Sequence, residues 1–261
     1  MKIFRNQLIY GAISWLVPVC LLFIWQVGAK DGWISDRVLP APMDIFTSFV
    51  DIYESGELWI HLKTSCGRAF GGFAIGGSIG ILLGVLTGSS RIMERLLDTS
   101  VQMIRNIPHL ALTPLVILWF GIGEEAKLFL IALGVMFPVY LNTFHGIRSV
   151  DVQLIEMGRA YGLSRWHMLK DIIFPGALPS ILVGVRYGLG VMWLTLIVAE
   201  TIAASSGLGY MAMNARELLQ TDVVVLAILL YAVLGKLADV LARAMERRWL
   251  RWHPNYQIAR A

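Results

Sequence analysis

Six apolar runs, at about residues 9–27, 69–87, 110–122, 128–141, 181–202 and 223–241, leave this chain few ways to fold. A helical run of about 20 apolar residues matches the hydrocarbon thickness of a bilayer. No water in that layer satisfies backbone N–H and C=O groups, so each run must close its own hydrogen bonds. The expected fold is therefore an all-α membrane protein with about six transmembrane helices. The runs at 110–122 and 128–141 are short and interrupted by Pro114 and Pro138. Only 15% of the 261 residues are charged, against roughly 25% in a soluble domain, so the charged surface that a water-soluble fold needs is missing.

The sorting of Lys and Arg orients the runs. With both termini cytoplasmic, 14 of the 22 Lys and Arg fall in cytoplasmic segments and 6 in outer ones, while Arg186 and Lys236 lie within runs. The positive-inside rule favours that topology, and the net charge of +4 is read as topology rather than as a nucleic-acid surface. Lys2 and Arg5 ahead of the first run resemble a signal peptide, but the run is long and contains Pro18, so it reads as an uncleaved span. Cys20 and Cys66 make neither a disulfide framework nor a metal site.

Gly72, Gly76, Gly80, Gly84 and Gly88 recur every fourth residue and line one side of the second run. Such a stripe lets another helix backbone approach closely, from the same subunit or from a second copy. Gly71 to Ser78 reads G-x-x-x-x-G-G-S, without the lysine of a P-loop and inside an apolar run. Gly207 to Ala212 matches G-x-G-x-x-A but ends a span and follows no strand, so it reads as a turn. With no complete P-loop and no H-E-x-x-H, no residue is assigned to catalysis or to a metal.

One polar stretch breaks the apolar pattern: "IEMGRAYGLSRWHMLKDIIFPGALP", residues 155–179. Asp151 can cap a short helix through Glu156 and Arg159, and Gly162 suits the left-handed position that ends it. Ser164 can cap a second helix from Arg165 to about residue 173, which Pro175 is expected to stop. Gly158, Ala160 and Gly162 leave the first helix little bulk, while Glu156, Arg159 and Arg165 can pair with a partner. Two readings follow: a knob docked in a groove of another protein, or an amphipathic loop on anionic lipid with Trp166 and Lys170 at the interface.

The stretch resembles the coupling motif of ATP-binding-cassette importer permeases, E-A-A, three residues, G, nine residues, I, one residue, L-P. Glu156, Gly162 and Ile172 hold the spacing, and Pro175 ends it; Met157 and Gly158 stand where the pattern has alanines, and Phe174 where it has Leu. "QMIRNIPHLALTPLVILWFGIGEEAKLFLIALGVMFPVY", "LTLIVAETIAASSGLGYMAMNARELLQTDVVVLAILLYAVLGK", "SGELW" and "ERRWLRWHPNY" are similar to the sulfonate, taurine and nitrate group of these permeases, and most to those for aliphatic sulfonates.

That resemblance implies a MetI-like permease fold, a single domain over residues 1–261 with a cytoplasmic coupling loop at 150–176, and a place in the bacterial inner membrane. It implies a second permease subunit, two nucleotide-binding ATPase subunits that bind ATP and Mg, and a periplasmic substrate-binding protein. It assigns ATPase coupling to Glu156, Gly158, Arg159, Ala160, Gly162, Leu163, Arg165, Ile172 and Pro175. No cofactor is expected on this chain, and taurine or nitrate is the alternative substrate. A sulfonate needs weak polar or cationic contacts along its path. Candidates are Asn106, His109, Asn142, His145, Arg186 and Thr195, with Arg186 expected to snorkel to the interface and Glu200 to face Arg216 or the binding protein. A secondary transporter would show more spans and an internal repeat, which the sequence lacks.

Overall fold

A computed structural model of the chain describes residues 2–253, with side chains from residue 16 onward except at residue 203. The side chains of the first part of the run at 9–27, and the tail from residue 254, lie outside the described residues. All regular structure among the described residues is helical. α1 spans Lys2–Lys30, α2 Pro42–Glu54 and α3 Glu57–Ser89. α4, Arg91–Arg105, contains a π turn and meets α5, His109–Phe120, at an 80° bend. α6 spans Glu124–Arg148, α7 Val152–Ala160, α8 Arg165–Ile202, α9 Leu208–Glu217 and α10 Thr221–Trp249.

Among the described residues α3, α6, α8 and α10 are long and apolar enough to cross a bilayer, and the α4–α5 pair is a fifth span if its bend lies inside one crossing. The described apolar part of α1, Leu16–Lys30, is shorter. The run expected at 110–122 is thus one arm of a bent pair, and that at 128–141 is the middle of an unbroken α6 with Pro138 inside it. The second helix of the polar stretch does not stop at Pro175. A π turn at Met168–Ile173, with the Phe174 amide donating to the Leu169 carbonyl, widens the backbone ladder where proline has no N–H to give, and the helix runs on to Ile202. Sequence patterning marks prolines as stops because it cannot see this compensation.

α6 lies at the centre, packed between α3 and α8. The glycine stripe of α3 faces it along their shared length. A Cβ on Gly72 would lie 2.6 Å from the Ile131 Cβ, on Gly80 2.6 Å from the Met136 carbonyl oxygen, on Gly84 2.6 Å from the Thr143 Cβ, and on Gly88 2.9 Å from the Ile147 Cβ. On Gly76 it would be driven into the Ala132 carbonyl. The stripe therefore packs within the chain. On the other side, a Cβ on Gly184 of α8 would lie 2.7 Å from the Asn142 Cβ, and one on Gly146 of α6 2.8 Å from the Ser180 Cβ. The letters G-x-S-x-G also occur, at Gly76 to Gly80, but inside the uninterrupted α3 rather than at a strand-to-helix elbow that could expose a nucleophilic serine.

At the end of the bundle opposite the polar stretch, charges tie four helices together. Arg68 of α3 makes two 2.6 Å bonds to Glu124 at the start of α6, and its Nη1 lies 2.8 Å from Glu200 near the end of α8. Glu200 is 1% exposed and also accepts from the Ser65 hydroxyl, the Tyr231 hydroxyl of α10 and the Gly209 amide, at 2.8, 2.8 and 2.9 Å. Lys127 reaches Glu124 at 3.1 Å. Gly207, at φ 116°, lets the connection between α8 and α9 close over Glu200, where any Cβ would strike the carboxylate. Glu200 thus faces Arg68, not Arg216 or a partner.

Two outcomes are expected. Gly76→Ala should lower stability by about 1–3 kcal/mol, read as a fall in the thermal midpoint of detergent-solubilised protein. Gly67→Ala, whose methyl meets nothing within 4 Å, should not lower it. Arg68→Ala leaves the buried Glu200 without its cation and should cost about 3–5 kcal/mol in the same assay, while Arg243→Ala, at an exposed i,i+4 pair with Asp239, should leave the midpoint in place.

Candidate functional site

The polar stretch forms a knob fixed to the membrane helices. Asp151 accepts from the Gln153 amide at 2.8 Å and starts α7. α7 ends in a Schellman closure: the Leu163 amide donates to the Gly158 carbonyl at 3.0 Å, the Gly162 amide to the Arg159 carbonyl at 2.9 Å, and Gly162 sits at φ 74°. Ser164 then caps α8, accepting from the His167 amide at 3.4 Å. Both caps and the glycine turn stand where the residue types put them.

Gly158 is buried on the first turns of α8, and a Cβ there would lie 2.6 Å from the Ile172 Cδ1 and 2.8 Å from the Met168 Cε. Ile155, Ile172 and Ile173 pack into a cluster with Ile147, Val150, Ala177 and Ile181. α7 is thus seated on both α6 and α8. Met157, the bulky departure from the family motif, is 47% exposed and does not disturb this contact. Glu156, Arg159, Ala160, Gly162, Leu163 and Arg165 are exposed, while Ile172 and Pro175 are half-buried on the anchoring side. Beside the knob a cleft of about 870 Å³ opens between the ends of α3 and α6, with Arg91, Arg148, Arg159 and Arg165 on its walls. The exposed face can dock a partner, and the anchored face can pass a displacement into two long helices.

The six polar candidates inside the bundle separate into groups. His109 and Thr195 come together, with Nε2 and Oγ1 3.0 Å apart, over Gly134 of α6. Asn106 is exposed in the break just before His109. Asn142 donates to the Pro138 carbonyl at 2.8 Å beside the α6–α8 contact. His145 is exposed next to the Phe144 ring, one turn beyond Asn142. Arg186 faces α10, with Nη1 3.4 Å from the buried Glu246. Arg68, Glu124, Lys127, Ser65 and Tyr231 are absent from the sequence-based set. The signal was present: Arg68 and Glu200 sit at the margins of apolar runs, where an ionisable group requires a partner. Arg68 lies one residue outside the apolar run at 69–87, where hydropathy alone makes it a loop charge.

A family model for the binding-protein-dependent transport system inner membrane component matches residues 76–251. An aliphatic sulfonates transport permease protein of Escherichia coli K12 is 62% identical over 95% of this chain and 94% of its own length. The protein of that name from Bacillus subtilis 168 is 48% identical over 93% of this chain and 88% of its own. The taurine transport system permease protein of Escherichia coli K12 is 38% identical over 91% and 88%. Among solved structures, an inward-facing MetNI methionine ABC transporter superposes with a TM-score of 0.54 at 22% identity, covering 73% of this chain and 94% of that one. An amino acid ABC transporter gives 0.59 at 18%, covering 78% and 96%. The last two show the fold, that of ATP-binding-cassette importer permeases. The family model and the first three relatives show more: the chain belongs to the family of binding-protein-dependent transport system inner membrane components.

Proposed function

We propose that this chain is the membrane-spanning permease of an ATP-driven importer for aliphatic sulfonates, working as a pair of identical subunits with both termini in the cytoplasm. The observation that carries the substrate is the 62% identity over 95% of the chain to an aliphatic sulfonates transport permease protein, against 38% for the taurine permease. ATP and Mg bind the partner ATPases, a periplasmic binding protein delivers the sulfonate, and this subunit carries out no chemistry of its own.

The coupling residues act as a lever. An ATPase groove receives the exposed face of α7 and the turn that follows it, with Glu156, Arg159 and Arg165 as its polar contacts. Closure of the ATPases on ATP pushes α7, and the seat of Gly158 on Met168 and Ile172 passes that push to α8 without slack. α8 is one helix from Arg165 to Ile202, so the displacement reaches the level of Glu200 at the far end. Alternating access is then a shift between two packings of rigid helices.

Proteoliposomes carrying the permease, its ATPase and its binding protein should take up labelled ethanesulfonate only with ATP inside the ATPase compartment, and excess taurine should compete weakly. Uptake of taurine in preference to ethanesulfonate would assign the taurine reading instead. Gly158→Val, which forces α7 off α8, should lower uptake about tenfold or more, the rate equivalent of about 1.4 kcal/mol, with the ATPase still bound. Glu156→Lys should reduce the ATPase recovered with tagged permease; equal recovery with normal uptake would return the knob to the lipid surface.

A further inference from the structure

α4 carries a polar stripe along one face. Arg91, Arg95, Asp98, Gln102 and Arg105 follow one another at intervals of three or four residues, hence on one face, with Asn106 just beyond. The intervening positions include Ile92, Met93, Leu96, Met103 and Ile104, all exposed. Contacts with α6 fix the depth of the stripe. Arg148, the last residue of α6, pairs with Glu94; Tyr140 donates to Asp98 at 2.7 Å; and Gly134 lies against His109. α4 therefore climbs from the knob end of α6, and Arg105, between Asp98 and His109, lies level with the middle of α6.

An arginine at that depth is costly unless it is paired or faces water. The ionised side chains that the bundle buries among the described residues are paired: Arg68 with Glu124 and Glu200, Lys127 with Glu124, and Glu246 with Arg186. Arg105 is exposed and has neither an ion pair nor a side-chain hydrogen bond among the described residues. It also ends a helix at an 80° break, next to Asn106 and four residues before His109 of the His109–Thr195 pair. A guanidinium held there offers forked N–H donors to a planar or tetrahedral oxyanion.

We propose that Arg105, at the break between α4 and α5, is the cation that an alkanesulfonate contacts midway along the translocation path. The same face carries the exposed Arg91 and Arg95 toward the knob end, while Asp98, half-buried between them and Arg105, accepts from Gln102 and Tyr140. This rests on the sulfonate reading above and adds the residue that reads the anion. An unneutralised cation suits a transporter, because it draws the anion in without enclosing it.

The test is sulfonate uptake by the reconstituted full complex, with Arg105→Gln and Arg105→Lys beside the unaltered chain. Arg105→Gln should raise the KM for ethanesulfonate about tenfold or more, as expected for loss of one charge-assisted contact, while the ATPase is still recovered with tagged permease. Arg105→Lys should restore much of the loss. An unchanged KM in Arg105→Gln overturns the proposal and leaves the sulfonate reading standing; an unaltered complex that imports no alkanesulfonate overturns both. A second measurement does not depend on uptake by the glutamine variant. Arg105→Cys, with Cys20 and Cys66 changed to serine, should react with a membrane-impermeant thiol reagent, more slowly when ethanesulfonate is present. No reaction places residue 105 against lipid and overturns the proposal.

Discussion

The bundle depends on backbone contact between α3 and α6. In lipid no hydrophobic force drives two apolar helices together, so association rests on close packing and on polar contacts that lipid cannot replace. Five glycines on one face of α3 allow the packing: each leaves the space in which an α6 backbone or Cβ atom sits. The close approach makes α6 a fixed axis, and α8 packs on its other side through Gly146 and Gly184. The knob, the broken pair and the far-end charge cluster are all positioned by reference to α6.

α8 joins the two ends of the molecule. Its first turns seat the knob through Met168 and Ile172, and its last turns carry Glu200 into the cluster with Arg68 and Tyr231. A helix stopped at Pro175 would have placed a hinge between these points. The π turn at Met168–Ile173 instead carries the helix through Pro175 unbroken, accommodating its missing N–H. The far cluster is correspondingly rigid, since Glu200 accepts from an arginine, two hydroxyls and a backbone amide supplied by three other elements. Under the proposed coupling, a push delivered at the knob would arrive at a well-anchored point instead of dissipating in a loose terminus.

What the sequence disclosed was local. Asp151, Ser164 and Gly162 cap and turn the knob where their side chains or lack of one dictate, because a cap involves only the next few residues. The apolar runs disclosed helices for the same reason. The glycine stripe disclosed a close contact but not its partner, since periodicity describes one face and says nothing of what meets it. The pairing of Ser65, Arg68 and Tyr231 with Glu200 joins residues far apart in the chain, and no spacing rule reaches that far. Pro138 and Pro175 misled because proline's penalty is local, whereas its remedy, a π turn or a neighbouring helix, belongs to the surroundings.

Charge within the bundle then divides by whether it is neutralised. At the far end two cations, Arg68 and Lys127, meet two carboxylates, Glu124 and Glu200, in a set with no net charge, and the hydrogen bonds of Arg68 and Glu200 are filled. Such a set has little left to offer a passing ion and serves to hold helices. Arg105 differs in both respects: its charge is uncompensated among the described residues and its donors are open. The same residue type, in one fold and one solvent, therefore supports structure where it is matched and is available to a ligand where it is not. For an importer of anions this division is required, because a path lined by satisfied pairs would not attract its substrate, and a scaffold of unsatisfied ones would not stay folded.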